Sequence, residues 1–299
     1  MTRSETIKNY IKLHFIIFIW GFTGVLGKLI ESLDGATLAW VRMGVAFIAL
    51  VAFMIVRKIS FALDVKTKLR FLGIGTIIAV HWATFFIAIK VSNVSVALVC
   101  MSSSSLFMAF LEPIIFRKSI VPYEILFGII VIGALFLIFK IEPQYALGIG
   151  LAVLSAFLAA LFTAINARFI KSHSATQITV YEMLGGFIGL TIFLLISGGF
   201  SEGNIIPAAS DWVYVLVLSL MCTAYAFVVS VDVMKVVSPF TLAISVNLEP
   251  IYAIIMALIL FGEEEHMSAG FYGGGLILIL TIIANGVMKN RSKNKLKQA

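Results

Sequence analysis

Charge is what this sequence has least of. Asp, Glu, Lys and Arg make up only 12% of 299 residues, about half the share usual in soluble domains, which excludes an ordinary water-facing globular fold. Cysteine is almost absent. Cys100 and Cys222 both fall in apolar runs and form no C-x-x-C, so they supply neither a disulfide framework nor a thiolate metal site. Catalytic signatures are missing too: there is no H-E-x-x-H, no G-x-S-x-G, no glycine-rich phosphate loop and no carboxylate pair one helical turn apart in an apolar run. An ATP-driven pump is thereby excluded. An intramembrane enzyme would lack a nucleophile or metal even if Glu249 and His81 served as an acid and base. No cofactor or metal is expected; the run Glu263-Glu264-Glu265-His266 reads as a solvated acidic turn.

What fills the chain is apolar. Hydrophobic residues reach 61% and the mean hydropathy is +1.08. Ten apolar stretches approach the ~20 residues needed to cross a bilayer core: 11–30, 36–56, 69–89, 94–116, 122–139, 147–169, 176–198, 211–231, 238–260 and 269–288. They predict an all-α polytopic membrane protein with ten transmembrane helices and no separate soluble domain. The first stretch has spanning length and no small-residue cleavage site, so it reads as a helix and not as a signal peptide.

The formal net charge of +7 is informative through its placement. With a cytoplasmic N-terminus, eighteen of the 22 basic residues fall on one face, among them Arg3, Lys8, Lys12, Arg57, Lys58, Arg117, Lys118, Arg168, Lys171, Lys235 and the tail Lys289, Arg291, Lys293, Lys295 and Lys297. The positive-inside rule then places both termini in the cytoplasm of a cell inner (cytoplasmic) membrane. The tail is expected to touch anionic lipid, and no nucleic-acid partner is expected.

The chain also resembles itself. An offset of 145 pairs Lys90-Val91 with Lys235-Val236, Ile114 with Ile259, Phe116 with Phe261 and Gly128 with Gly273; an offset of 140 pairs Met43, Phe47, Leu50 and Phe53 with Met183, Phe187, Leu190 and Phe193. Two five-helix halves follow, 1–143 and 144–299. Because five is odd, the second half enters from the opposite face, so the repeats are inverted, an architecture common among secondary transporters. Gly185-x-x-x-Gly189 and Gly270-x-x-x-Gly274 permit close helix approach, either within the chain or in a homodimer, and the sequence leaves monomer and homodimer open.

Several local patterns resemble the EamA-type members of the drug/metabolite transporter superfamily: Trp20-Gly21 with Lys28 at the end of the first stretch, Arg42 in the second, Ala88-Ile89-Lys90 before the fourth, and Pro250 to Phe261-Gly262-Glu263 in the ninth, with Gly270 after it. The resemblance implies the ten-helix inverted fold and export of amino acids or related metabolites. One departure stands out. The family often has a proline in the fourth helix where the repeat alignment gives this chain Ser105.

Candidate site residues follow from polar groups in apolar surroundings. Glu249-Pro250 sits mid-stretch, where a carboxylate is costly unless it faces a cavity, partner or substrate, and where proline favours a helix break. The 145 offset pairs Glu249 with Ser104 and Asn247 with Ser102, so Ser102, Ser104, Ser105, Asn247 and Glu249 are candidate substrate ligands. Packing of small residues is the alternative for the serines. His81, Trp82 and Phe107 are candidates for a proton relay and an aromatic wall, against an ordinary core role. Arg42 and Glu182 occupy equivalent repeat positions and are candidate gates, Glu182 with Arg168 or Lys171, or plain helix anchors. Glu112 is expected to serve a basic group near Arg117. The expected function is a secondary transporter of small organic metabolites working by alternating access, with membrane lipid as surroundings and a proton as an optional coupling ion at Glu249. Efflux of hydrophobic cations and a non-transport membrane sensor are the alternatives.

Overall fold

The computed structural model describes residues 3–298 except 118, 120–121 and 203–204, and no side chains at 3–6, 122, 124–125, 202, 282, 286 and 289–298. Lys118 and the side chains of Arg3 and the basic tail therefore lie outside the described residues. Among those described, all regular structure is helical: α1 (Arg3–Leu29), α2 (Gly35–Val56), α3 (Val65–Val91), α4 (Val94–Met101), α5 (Ser104–Phe116), α6 (Pro122–Ile141), α7 (Ala146–Phe169), α8 (Ala175–Ser197), α9 (Gly199–Glu202), α10 (Trp212–Ser219), a π-helical segment (Leu220–Tyr225), α11 (Ala226–Val233), α12 (Pro239–Val246), α13 (Glu249–Phe261) and α14 (Ala269–Gln298).

Among the described residues, eight helical segments are long and apolar enough to cross a membrane, the apolar parts of α6 and α14 being shorter. The chain is thus a polytopic membrane protein with eight spans by that measure, where ten apolar runs suggested ten.

Short polar residues start these helices. Asp34, Asp64, Asn93, Ser174 and Ser238 each precede a helix and accept a backbone N–H from its first turn, satisfying donors that no helix can satisfy internally. The cap positions follow the sequence offsets. Adding 140 to Asp34 gives Ser174, and adding 145 to Asn93 gives Ser238.

At the centre of the bundle α3 packs most extensively on α8 and then on α7. Two glycines set the α3–α8 distance: a Cβ on Gly75 would collide with the Glu182 carbonyl, and one on Gly185 with the Leu72 carbonyl. Gly270 and Gly274 seat Ile141 and Ile138 of α6 in the same way. Both small-residue motifs therefore serve packing within the chain. Contacts also recur in matched pairs: α1 meets α13 as α7 meets α5, α4 meets α13, α5 meets α12, and α6 meets α14.

One end of the bundle is tied by polar contacts. Lys28 Nζ bonds Glu264 and Glu265, each at 3.0 Å. The Glu265 carboxylate also accepts from Val94 N at 3.0 Å, from Ser95 N at 2.9 Å and from Ser95 Oγ at 2.9 Å. Around it Lys90 Nζ donates to Ile30 O at 2.5 Å, Ser32 Oγ to Asp211 at 2.6 Å, and Ser268 Oγ to Glu142 at 2.5 Å. The acidic turn is therefore not solvated throughout. Glu263 and Glu264 are exposed, but Glu265 is fully buried, because the first turn of α4 and Lys28 together give its charge partners. At the other end Glu112 accepts the N–H of Phe240, in the first turn of α12, at 3.2 Å. Phe240 is Ser95 shifted by 145, so each of these two half-helices starts against a carboxylate from the other half of the chain.

Candidate functional site

The fourth and ninth apolar runs are both interrupted. α4 ends at Met101 and α5 begins at Ser104; α12 ends at Val246 and α13 begins at Glu249. Adding 145 to both bounds of α4 and of α5 returns the bounds of α12 and α13. Local chemistry differs between the two breaks. In the first, Ser103 Oγ donates to Cys100 O at 2.7 Å, Ser102 Oγ to Leu98 O at 3.3 Å and Ser105 Oγ to Ser102 O at 3.1 Å, hydroxyls competing for carbonyls that a continuous helix would use. In the second, Pro250 occupies the first turn of α13, where its missing N–H costs nothing.

Beside the breaks lies a cavity with about 880 Å³ of unfilled space, counting the part continuous with the outside. Its aromatic wall is Trp20, Trp82, Phe85, Phe162 and Phe227, and its polar groups are Thr23, Arg42, His81, Ser104, Thr163, Asn166, Ser230 and Glu249. Glu249 opens α13 and is partly exposed into this space, with the positive end of the helix dipole beneath its carboxylate.

Arg42 supplies the opposite charge. It is 1% exposed, and its guanidinium carbon lies 4.1 Å from the Trp82 ring centre and 5.5 Å from that of Phe86, a cation–π arrangement. Its Nε donates to Thr223 Oγ1 and its Nη2 to Cys222 O at 3.3 Å, while Nη1 is buried without a partner. Both acceptors belong to the π-helical segment. Thr223 Oγ1 in turn donates to Leu218 O at 2.7 Å, and Cys222 O also accepts from Trp20 Nε1 at 3.0 Å. The irregular turn thus orients the one buried guanidinium of the cavity wall.

His81 is held by the backbone. Its Nδ1 lies 2.9 Å from Ser155 O and 2.8 Å from Ser155 Oγ, and Ser155 Oγ donates to His81 O at 2.9 Å. A carbonyl can only accept, so Nδ1 carries the hydrogen, and a neutral ring then keeps Nε2 as its acceptor.

Of the residues singled out in the sequence, Glu249, Ser104, His81, Trp82 and Arg42 line the cavity. Four expected ligands do not. Ser102 and Ser105 turn their hydroxyls onto the backbone, Asn247 Nδ2 donates to Ser105 Oγ at 3.1 Å, and Phe107 stacks edge-on against Phe157. Ser105 instead borders a small separate void with Phe240, Thr281 and Asn285. Glu182 is fully buried outside the cavity and makes no ion pair with Arg168 or Lys171. Residues of α7 and α11, chiefly Phe162, Thr163, Asn166, Phe227 and Ser230, complete the wall. They carry no signal in the sequence beyond small polarity in apolar helices. No cluster of metal-ligating side chains occurs among the described residues.

Membrane-length apolar helices around a cavity with an aromatic wall and unlike charges on it define a multi-pass membrane protein with a candidate binding site. The chain belongs to the EamA-like transporter family, whose model matches it twice, over residues 10–140 and 146–285. It is 22% identical to an uncharacterized transporter of Archaeoglobus fulgidus over 282 residues, covering 91% of this chain and 95% of that one. A solved crystal structure superposes with a TM-score of 0.67 at 13% identity, over 94% of this chain and 96% of that one, which concerns the fold alone. The protein is therefore a membrane transporter, and its family points away from an enzyme.

Proposed function

We propose that this protein is a secondary transporter that moves a small zwitterionic metabolite, an amino acid or close relative, across the cytoplasmic membrane by alternating access. One observation carries the substrate class: Arg42, with an unpartnered buried Nη1, shares a cavity with Glu249. Arg42 receives the substrate carboxylate, Glu249 its ammonium group, and the aromatic wall its apolar part. Efflux of hydrophobic cations would use Glu249 and the same aromatics, but a buried guanidinium beside the site works against a cationic ligand.

The architecture behind this reading is ten membrane helices in two inverted halves, both termini cytoplasmic. Its support is the family match in two successive blocks, the repeated helix bounds and caps, and the reciprocal contacts across the bundle. In this topology the end sealed by Lys28 and Glu265 is external. The cavity wall reaches Asn166, Met234 and Leu242, near the end carrying Arg168 and Lys235. Sealed outside and lined toward the inside, the molecule is in an inward-facing state, ready to load substrate for export. Lipid surrounds the bundle, and a monomer contains the complete site.

Solute counterflow in proteoliposomes tests the reading with a panel of labelled neutral amino acids. Saturable exchange that is lost in Glu249→Gln is the expected result. Exchange that survives in the mutant, or that a lipophilic cation drives better than any amino acid, would refute the assignment.

A further inference from the structure

Glu182 is fully enclosed by the bundle, as Glu265 is at the tied end, but substrate binding gives it no task. It sits in the third turn of α8, fully buried, and neither carboxyl oxygen has a hydrogen-bond partner. One turn earlier Thr179 is equally buried, with an unpartnered hydroxyl. Across from them Asn166 of α7 approaches the carboxyl group, yet its Oδ1 and Nδ2 also make no hydrogen bond of normal geometry. Three neighbouring side chains thus leave their polar atoms unmatched in one enclosed place, on backbone fixed by the Gly75–Glu182 contact.

Among the described residues no counter-charge pairs with Glu182. Of the helices packed on α8, α3 carries its lysines and Arg70 within two turns of its ends, with His81 between; α2 carries Arg42, α11 Asp232, and α9 Glu202 at the far end of α8; α7, which brings Asn166, carries Arg168. Among the described side chains none of these groups bonds the Glu182 carboxyl. An enclosed carboxylate bonded to neither a cation nor an N–H donor is strongly disfavoured, whereas a carboxylic acid carries no charge and can pair with the neighbouring amide. The geometry suits the protonated form.

Asn166 lines the cavity and Glu182 does not, so the amide is the partition between the two. Resting on the transport reading above, we propose that Glu182 is a proton-binding site of the transport cycle, with Asn166 as its shutter. A carboxyl oxygen holds the proton while the amide is closed. When the amide turns, water from the cavity reaches the carboxyl group and carries the proton away as hydronium. Glu249 remains the substrate's partner.

Infrared spectroscopy of the full chain in lipid vesicles at neutral pH tests this without requiring any transport. The protonated-carboxyl stretching band, identified by its shift in D₂O, should be present in wild type, absent in Glu182→Gln and retained in Glu249→Gln. Its absence from wild type, or its survival in Glu182→Gln, overturns the proposal even if counterflow succeeds. Gln is an uncharged isostere of the acid, so the variant should fold, which a monodisperse elution profile checks. In proteoliposomes the proton flux accompanying substrate should fall to background in Glu182→Gln. A wild-type protein that moves substrate without protons, or a flux that persists in the variant, overturns it as well.

Discussion

Asn247 donates from Nδ2 to Ser105 Oγ at 3.1 Å, tying the helix break in one half of the chain to the break in the other. Both residues are buried, so removing one strands the other. Ser105→Ala should destabilise the protein by about 1–3 kcal/mol, the cost of an unmatched buried amide. Combined with Asn247→Leu, the losses should fall short of additive by about 1 kcal/mol. Thermal unfolding of the single and double variants in one lipid environment measures both terms.

The Arg42 guanidinium carbon lies 4.1 Å from the Trp82 ring centre, and an ammonium group lacks the guanidinium's planar fork of donors. Arg42→Lys should raise the half-saturation concentration for a neutral amino acid by about 10- to 100-fold, equivalent to about 1.5–3 kcal/mol for a charged hydrogen bond. A decarboxylated amine analogue should be affected far less. Equal losses for both ligands in counterflow competition would mean that Arg42 only supports the wall.

The sealed end depends on Glu265, which neutralises Lys28 and caps α4 together. Glu265→Ala leaves Lys28 and two N–H groups without it, a loss of about 3 kcal/mol from the closed state. In a Ser104→Cys background, the thiol should then react faster with a membrane-impermeant reagent added outside. Unchanged labelling would separate Glu265 from closure.

Asp211, just before α10, titrates outside the membrane helices. Hydrogen bonds from the Ser32 hydroxyl, then from the Ser32 N–H and the Ser210 hydroxyl, hold its carboxyl below the usual carboxylate range. A depressed folded value means that this contact stabilises the protein above the ordinary carboxylate range and that the contribution fades as pH falls through the lowered value. Ser32→Ala should lower the melting temperature at neutral pH and narrow its gap to wild type in acid. Parallel melting curves at every pH would contradict the assignment.

Much of the scaffold is legible in the order of residues. The apolar runs mark the helices, and the short polar residues Asp34, Asn93, Ser174 and Ser238 stand where four of them start, since first-turn N–H groups need acceptors. The interruption at Glu249-Pro250 shows as a proline beside a carboxylate. Its counterpart at Ser102–Ser103 shows through the 145 offset. Glu265 misleads because three successive acidic residues look solvated in sequence, whereas burial there depends on Lys28 and Ser95, distant in the chain.

The sequence by itself determined that this is a helical membrane protein, where its helices begin and where two of them break, because apolar length, capping and proline act over a few neighbouring residues. Tertiary structure alone decided which polar groups meet. It sent Ser104 to the cavity while Ser102 and Ser105 turned onto the backbone, set Arg42 and Glu249 on one wall, and left Glu182 behind Asn166. A helix apolar on every side has no hydrophobic period to mark its inward face, so only packing against the other helices selects it.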